Sequence, residues 1–108
     1  MNNASQYVKD VSAADFQQEV LLRSREVPVL VDFWAEWCEP CKTLSPLLER
    51  LTEEADGAFD LAKVDVDANQ ELSTQFMVQS IPTIVGIKNG SDVIGQYKWE
   101  FIRGWNIK

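Results

Sequence analysis

V-L-V-D-F-W-A-E-W-C-E-P-C-K, Val29 to Lys42, joins an apolar, β-rich run directly to a Cys-x-x-Cys pair that opens a long helical pattern. Val29 to Trp34 is interrupted only by Asp32, which is how a central strand covered on both faces reads. The first turn of the helix that follows has unpaired backbone N–H groups and the positive end of the helix dipole, and both favour a thiolate over a thiol. Cys38 and Cys41 lie close enough along that helix to close a small ring as a disulfide. The layout therefore predicts reversible two-electron thiol chemistry at a strand-to-helix junction.

Within the pair, Cys38 is expected to be nearer solvent and the helix end, which makes it the nucleophile. Cys41, further along, is the resolving thiol that attacks the mixed disulfide and releases product. Pro40 stiffens the turn between them and suits a first helical turn, where its missing N–H costs nothing. The competing reading, half of a zinc site, lacks ligands: the chain has no His and only two Cys, so it cannot complete a usual structural site alone. The absence of His also leaves no better general base than Asp32. A carboxylate in an apolar strand is costly, and burial raises its pKa toward the range of a proton acceptor at neutral pH.

The chain has 108 residues, enough for one domain, 1–108, with a single modest core. Its net charge of −7 opposes nucleic acid or an anionic membrane as partner. Met1 to Asp10 has no apolar signal region and no run is long enough to span a bilayer, so a cytoplasmic location is expected; the protein is also expected to be a monomer. Two cysteines at this spacing in that compartment are catalytic or metal-binding rather than structural.

Outward from the central stretch, Tyr7 to Val11 reads as a short edge strand. Ser12 with Asp15 reads as a capping box for a first helix, with Phe16, Val20 and Leu21 at helical spacing. The helix after Cys38 places Leu44, Leu47, Leu48 and Leu51 on one side, contains Pro46 and ends at Gly57. Phe59 to Val66 reads as a second buried strand, and Asp67 with Gln70 as the cap of a further helix to Phe76. Thr83 to Lys88 and Val93 to Tyr97 flank Asn89-Gly90, the strongest short hairpin signal. The order β-α-β-α-β-α-β-β predicts an α/β domain with a mixed sheet and helices on both faces.

F-W-A-E-W-C-E-P-C-K resembles the active-site segment of the thioredoxin family, and Lys63-Val64-Asp65 and Ser80-Ile81-Pro82-Thr83 are similar to two further family segments. The resemblance implies a thioredoxin fold, with the C-terminal helix short or missing here because the tail from Lys98 to Lys108 departs from the family and contains Gly104. It implies that Asp32 relays the proton of the second thiol, that Lys63 partners Asp32, and that Pro82 is a cis-proline facing the disulfide. Trp37, Pro40, Ile81 and Pro82 would then form an apolar rim suited to extended polypeptide. No cofactor is implied beyond the redox-active Cys38–Cys41 disulfide. The implied partners are disulfide-containing proteins and a thioredoxin reductase as electron donor.

The implied activity is protein-disulfide reduction, with a thioredoxin-like binding or chaperone-type domain of weak redox activity as the alternative. Three departures from the family pattern bear on it. Glu39 replaces the usual Gly between the cysteines, and a carboxylate there either disfavours the Cys38 thiolate or points into water and is screened. Met77 stands where a helix-ending Gly is frequent. Gln79, Lys98 and Trp99 alter positions around the substrate groove.

Overall fold

The computed structural model describes residues 6–96. Strand β1 (Val8–Asp10) leads through a helical segment to β2 (Val29–Trp34), helix α1 (Glu39–Ala55), β3 (Asp60–Asp65), helix α2 (Gln70–Gln75), β4 (Thr83–Lys88) and β5 (Ser91–Gln96). The sheet order is β1-β3-β2-β4-β5. Strand β2 occupies the centre, parallel to β3 and antiparallel to β4. This is the α/β architecture expected of a thioredoxin fold, and it puts the strand that carries Asp32 where neither edge nor face meets solvent.

Side-chain alternation along β2 explains its near-continuous apolarity. Val29, Val31 and Phe33 pack with Phe16, Val20 and Leu72 in one cluster, while Leu30 packs with Leu48, Phe59, Leu61 and Ile84 in another. One cluster draws on the first helical segment and α2, the other on α1, so the sheet is covered on both faces. Each fully buried Val, Leu or Phe contributes roughly 1.5–3 kcal/mol of transfer free energy against the entropy of ordering the chain. Asp32 shares parity with Leu30 and therefore faces α1.

The first helical segment differs in kind from the α-helix expected. It is π-helical over Gln17–Leu22 and 3₁₀ over Arg23–Arg25. Apolar residues four apart mark the buried face of any helix near that period, so the spacing of Phe16 and Val20 does not separate these forms. Its capping box is half formed: the Asp15 carboxylate accepts from Ser12 N at 2.8 Å, while the Ser12 hydroxyl also turns to that carboxylate. At the other end Arg23 Nε donates to the buried Asp60 carboxylate at 2.7 Å. Ser24 Oγ accepts from Gly90 N at 2.8 Å, which ties the segment to the β4–β5 turn.

That turn has positive φ at both Asn89 (54°) and Gly90 (84°), the requirement of a two-residue hairpin with matching twist. Strand β5 begins at Ser91, two residues before the expected Val93. Tyr97 and the tail, where a short or missing C-terminal helix is expected, lie outside the described residues. Met77 has φ 54°, so a side chain occupies a left-handed position after α2 at a cost of about 1–2 kcal/mol.

Candidate active site

Cys38 sits at the N-cap of the 17-residue α1, and its sulfur accepts the backbone N–H of Cys41 at 3.2 Å. Pro40 falls in the first turn, as its missing donor allows. The two cysteines form a disulfide with a Cα–Cα separation of 5.3 Å. Both residues are buried, at 3% and 2% exposure, so exposure of the oxidised pair does not single out Cys38 as expected. What separates them is position: Cys38 is the N-cap of α1 with its Sγ at the donor end, whereas Cys41 lies within the first turn and lines a cavity. Ala35 and the cysteines form a small cluster against which Trp34, Val66 and Ile81 pack.

Asp32 is fully buried. Its Oδ2 accepts from Ser45 Oγ at 2.7 Å, and its Oδ1 has no hydrogen-bond partner among the described residues. Burial raises its pKa above the ordinary carboxylate range; the Ser45 hydrogen bond and the charge of Lys63 pull it down, and Glu49 pushes it up. Lys63 is the register partner of Asp32 on β3. Among the described residues no direct ion pair joins the two, and the Lys63 charge acts on Asp32 from a distance. The Lys63 ammonium reaches Glu49 Oε2 at 2.8 Å and lies 5.4 Å from the Trp34 ring centroid. An ammonium prefers a half-exposed carboxylate and an aromatic face to a position in the dry interior beside Asp32.

A cavity of about 270 Å³ opens beside Cys41, walled in part by Trp34, Ser45, Glu49 and Lys63. Trp34, the last residue of β2, is half-buried on that wall. On the outer side, Trp37 is 65% exposed and its indole donates to Asp67 Oδ2 at 2.9 Å. Asp67 therefore orients a rim residue and is not the cap of α2; Asn69 holds the N-cap position there. Ile81 and Pro82 are half-buried, and the bond between them is cis. A hollow of about 170 Å³ is lined by Trp37, Val66, Ile81 and neighbours.

Ser45, Glu49 and Asp67 were not singled out from sequence. For the first two a signal was present: Cys41, Ser45 and Glu49 repeat at intervals of four, the spacing of one helix face. Asp67 offered none, because an acidic residue before a helix reads first as a cap.

A family model for thioredoxin matches residues 7–101. The chain is 44% identical over 89 residues to thioredoxin of Haemophilus influenzae, covering 82% of this chain and 81% of that protein. It belongs to the thioredoxin family. Thioredoxin of Pseudomonas aeruginosa is 38% identical over 87 residues, covering 81% and 79% of the two chains. A bifunctional thioredoxin reductase/thioredoxin of Mycobacterium leprae is 45% identical over 84 residues, which span 78% of this chain and 18% of that protein. The chain is thus a thiol-disulfide oxidoreductase of the protein-disulfide reductase type, acting on disulfide substrates through its Cys-x-x-Cys pair. Among the described residues, no group of three or more His, Cys, Asp or Glu is arranged to hold a metal, and no helix is long and apolar enough to cross a membrane.

Proposed function

We propose that Cys38 attacks the substrate disulfide and Cys41 resolves the product, with Asp32 as proton acceptor. The Cys38 thiolate forms a bond to one substrate sulfur and expels the other as a thiolate. Cys41 then loses its proton toward Asp32 and attacks Cys38 Sγ. The Cys38–substrate bond breaks, the second substrate thiolate leaves, and the Cys38–Cys41 disulfide closes. The observation that carries this reading is the N-cap position of Cys38, whose sulfur already accepts the Cys41 N–H; the same donor and the helix dipole favour the thiolate after reduction. Lys63 acts electrostatically, holding Glu49 and moderating the field at Asp32.

Trp37, Pro40, Ile81 and Pro82 form the surface that receives an extended segment of the substrate protein, with the Asp67 hydrogen bond fixing the Trp37 ring. A thioredoxin reductase returns the electrons, a partnership supported by the fusion of the two activities in the Mycobacterium leprae protein. The chain acts as a single domain and a monomer in the cytoplasm, with no cofactor beyond its own disulfide.

Single-cysteine variants test the assignment. Cys38→Ser abolishes reduction of a model protein disulfide, and Cys41→Ser accumulates a stable mixed disulfide on Cys38. Accumulation in Cys38→Ser instead would reverse the roles of the two thiols. Polypeptide binding that survives Cys38→Ser, with no reductase activity in the wild type, would favour the binding-module alternative.

A further inference from the structure

Asp32 has no exposed surface, and the wall of the cavity beside Cys41 does not include it. Ser45 belongs to both environments: it lines that cavity with Cys41 and donates to Asp32 Oδ2 at 2.7 Å. It follows Cys41 by four residues on α1, so the two side chains share a face, and Ser45 leans back toward the turn that carries Cys41. Its hydroxyl is committed to Asp32, unlike those of Thr52 and Thr74 among the described residues. Thr52 donates to Leu48 O at 2.7 Å and Thr74 to Gln70 O at 3.0 Å, the usual bond to the preceding turn. Lys63 also reaches the cavity, but its ammonium is held by Glu49 and has no lone pair with which to accept a proton. A hydroxyl both accepts and donates.

We propose that Ser45 is the relay through which the Cys41 proton reaches Asp32. This rests on the reading of Asp32 as proton acceptor and specifies its route. As Cys41 Sγ loses its proton, Ser45 Oγ accepts one, directly or through water in the adjoining cavity, and passes its own to Asp32 Oδ2. The Cys41 thiolate then forms the bond to Cys38 Sγ while the Cys38–substrate bond breaks and the substrate sulfur leaves with the electron pair. Glu36, Lys42, Glu49 and Lys63 line the cavity, and of these Glu49 on α1 and Lys63 on β3 act on Asp32. These last two are paired with each other and stay so through the step.

The test uses the full-length reduced protein and an aromatic disulfide that releases one coloured thiolate when it modifies Cys38 and a second when Cys41 resolves the adduct. Ser45→Ala slows the second release about tenfold, a modest share of what acid–base catalysis supplies, and leaves the first unchanged. Ser45→Thr keeps the hydroxyl and restores the second phase. In an Asp32→Asn background, which is itself slow in that phase, Ser45→Ala adds nothing further. A normal second phase in Ser45→Ala alongside a slow one in Asp32→Asn overturns the relay and leaves the base standing. A normal second phase in Asp32→Asn overturns the base, and the relay with it. Slowing by Ser45→Ala that persists in the Asp32→Asn background marks a structural role and also overturns the relay.

Discussion

Asp32 has a folded-state pKa raised chiefly by burial, with one oxygen held by Ser45 and the other unpaired among the described residues. Folding therefore favours its protonated form. The contribution to stability is fully present below the ordinary aspartate value of about 3.9 and is lost as pH rises through the raised value, where a charge must be held in the core. Asp32→Asn keeps the shape and an oxygen for the Ser45 hydroxyl while removing the charge. It should be more stable than the wild type at neutral pH by about 1–3 kcal/mol, the scale of an imperfectly satisfied buried polar group. Urea midpoints across a pH series check this. The two proteins should converge in acid and separate as pH rises, and a difference that stays constant with pH would show that Asp32 is not the group being titrated. In the proposed mechanism a carboxylate kept in the centre of the sheet at this cost serves the thiol chemistry and not the fold.

At the N-terminus of α1, helix geometry and one surface ion pair decide how Glu39 acts on its neighbour. Glu39 Oε2 meets Lys42 Nζ at 3.1 Å, with side chains 81% and 55% exposed, so its charge is partly offset and screened by water and salt. Glu39→Gln should then move the Cys38/Cys41 potential upward by less than about 20 mV, since 30 mV corresponds to about 1.4 kcal/mol and exposed charges act below that. Lys42→Gln removes the offset and should move it downward by a similar amount, because a destabilised thiolate destabilises the reduced form. Equilibration in thiol buffers with Trp37 fluorescence as readout measures both, and a change of more than about 30 mV for Glu39→Gln would mean that its carboxylate acts on Cys38 unscreened. Glu39 is evident in the sequence, whereas its pairing with Lys42 depends on a side-chain geometry that spacing alone does not fix. The same holds more widely. The strand-to-helix junction, the β2 core pattern and the Asn89-Gly90 turn were legible because each is fixed by local chemistry: apolar alternation, a helix cap, two residues tolerant of positive φ. The π-helical form of the first segment was not, because a spacing of four fits several helices. The partners of Lys63 and Asp67 were not, because they depend on which side chains meet across 14 and 30 residues of sequence. Ser45 was hidden in a helix face read only for its leucines.

For the molecule as a whole, a net charge of −7 is distributed over a body with a radius of gyration of 12.6 Å. At about 0.01 M ionic strength the Debye length is roughly 30 Å, so an approaching substrate senses most of that charge. At about 1 M it is roughly 3 Å, and only groups beside the thiols are felt. Beside the pair in sequence stand Glu36, Glu39 and Lys42, and Asp67 accepts from the indole of the adjacent Trp37. The global field and the local one are both acidic, so steering should favour cationic disulfides. Two small peptide disulfides with the same leaving thiol, one cationic and one anionic, separate charge from chemistry. The cationic one should react about tenfold faster at low salt, and the ratio should fall toward unity as salt is added. A ratio that stays high at high salt would place the discrimination in direct contact with the Trp37 and Ile81 rim. A ratio near unity throughout would mean that the paired Glu39 and Lys42 cancel the field where it matters, and that substrate choice is made by the shape of the groove alone.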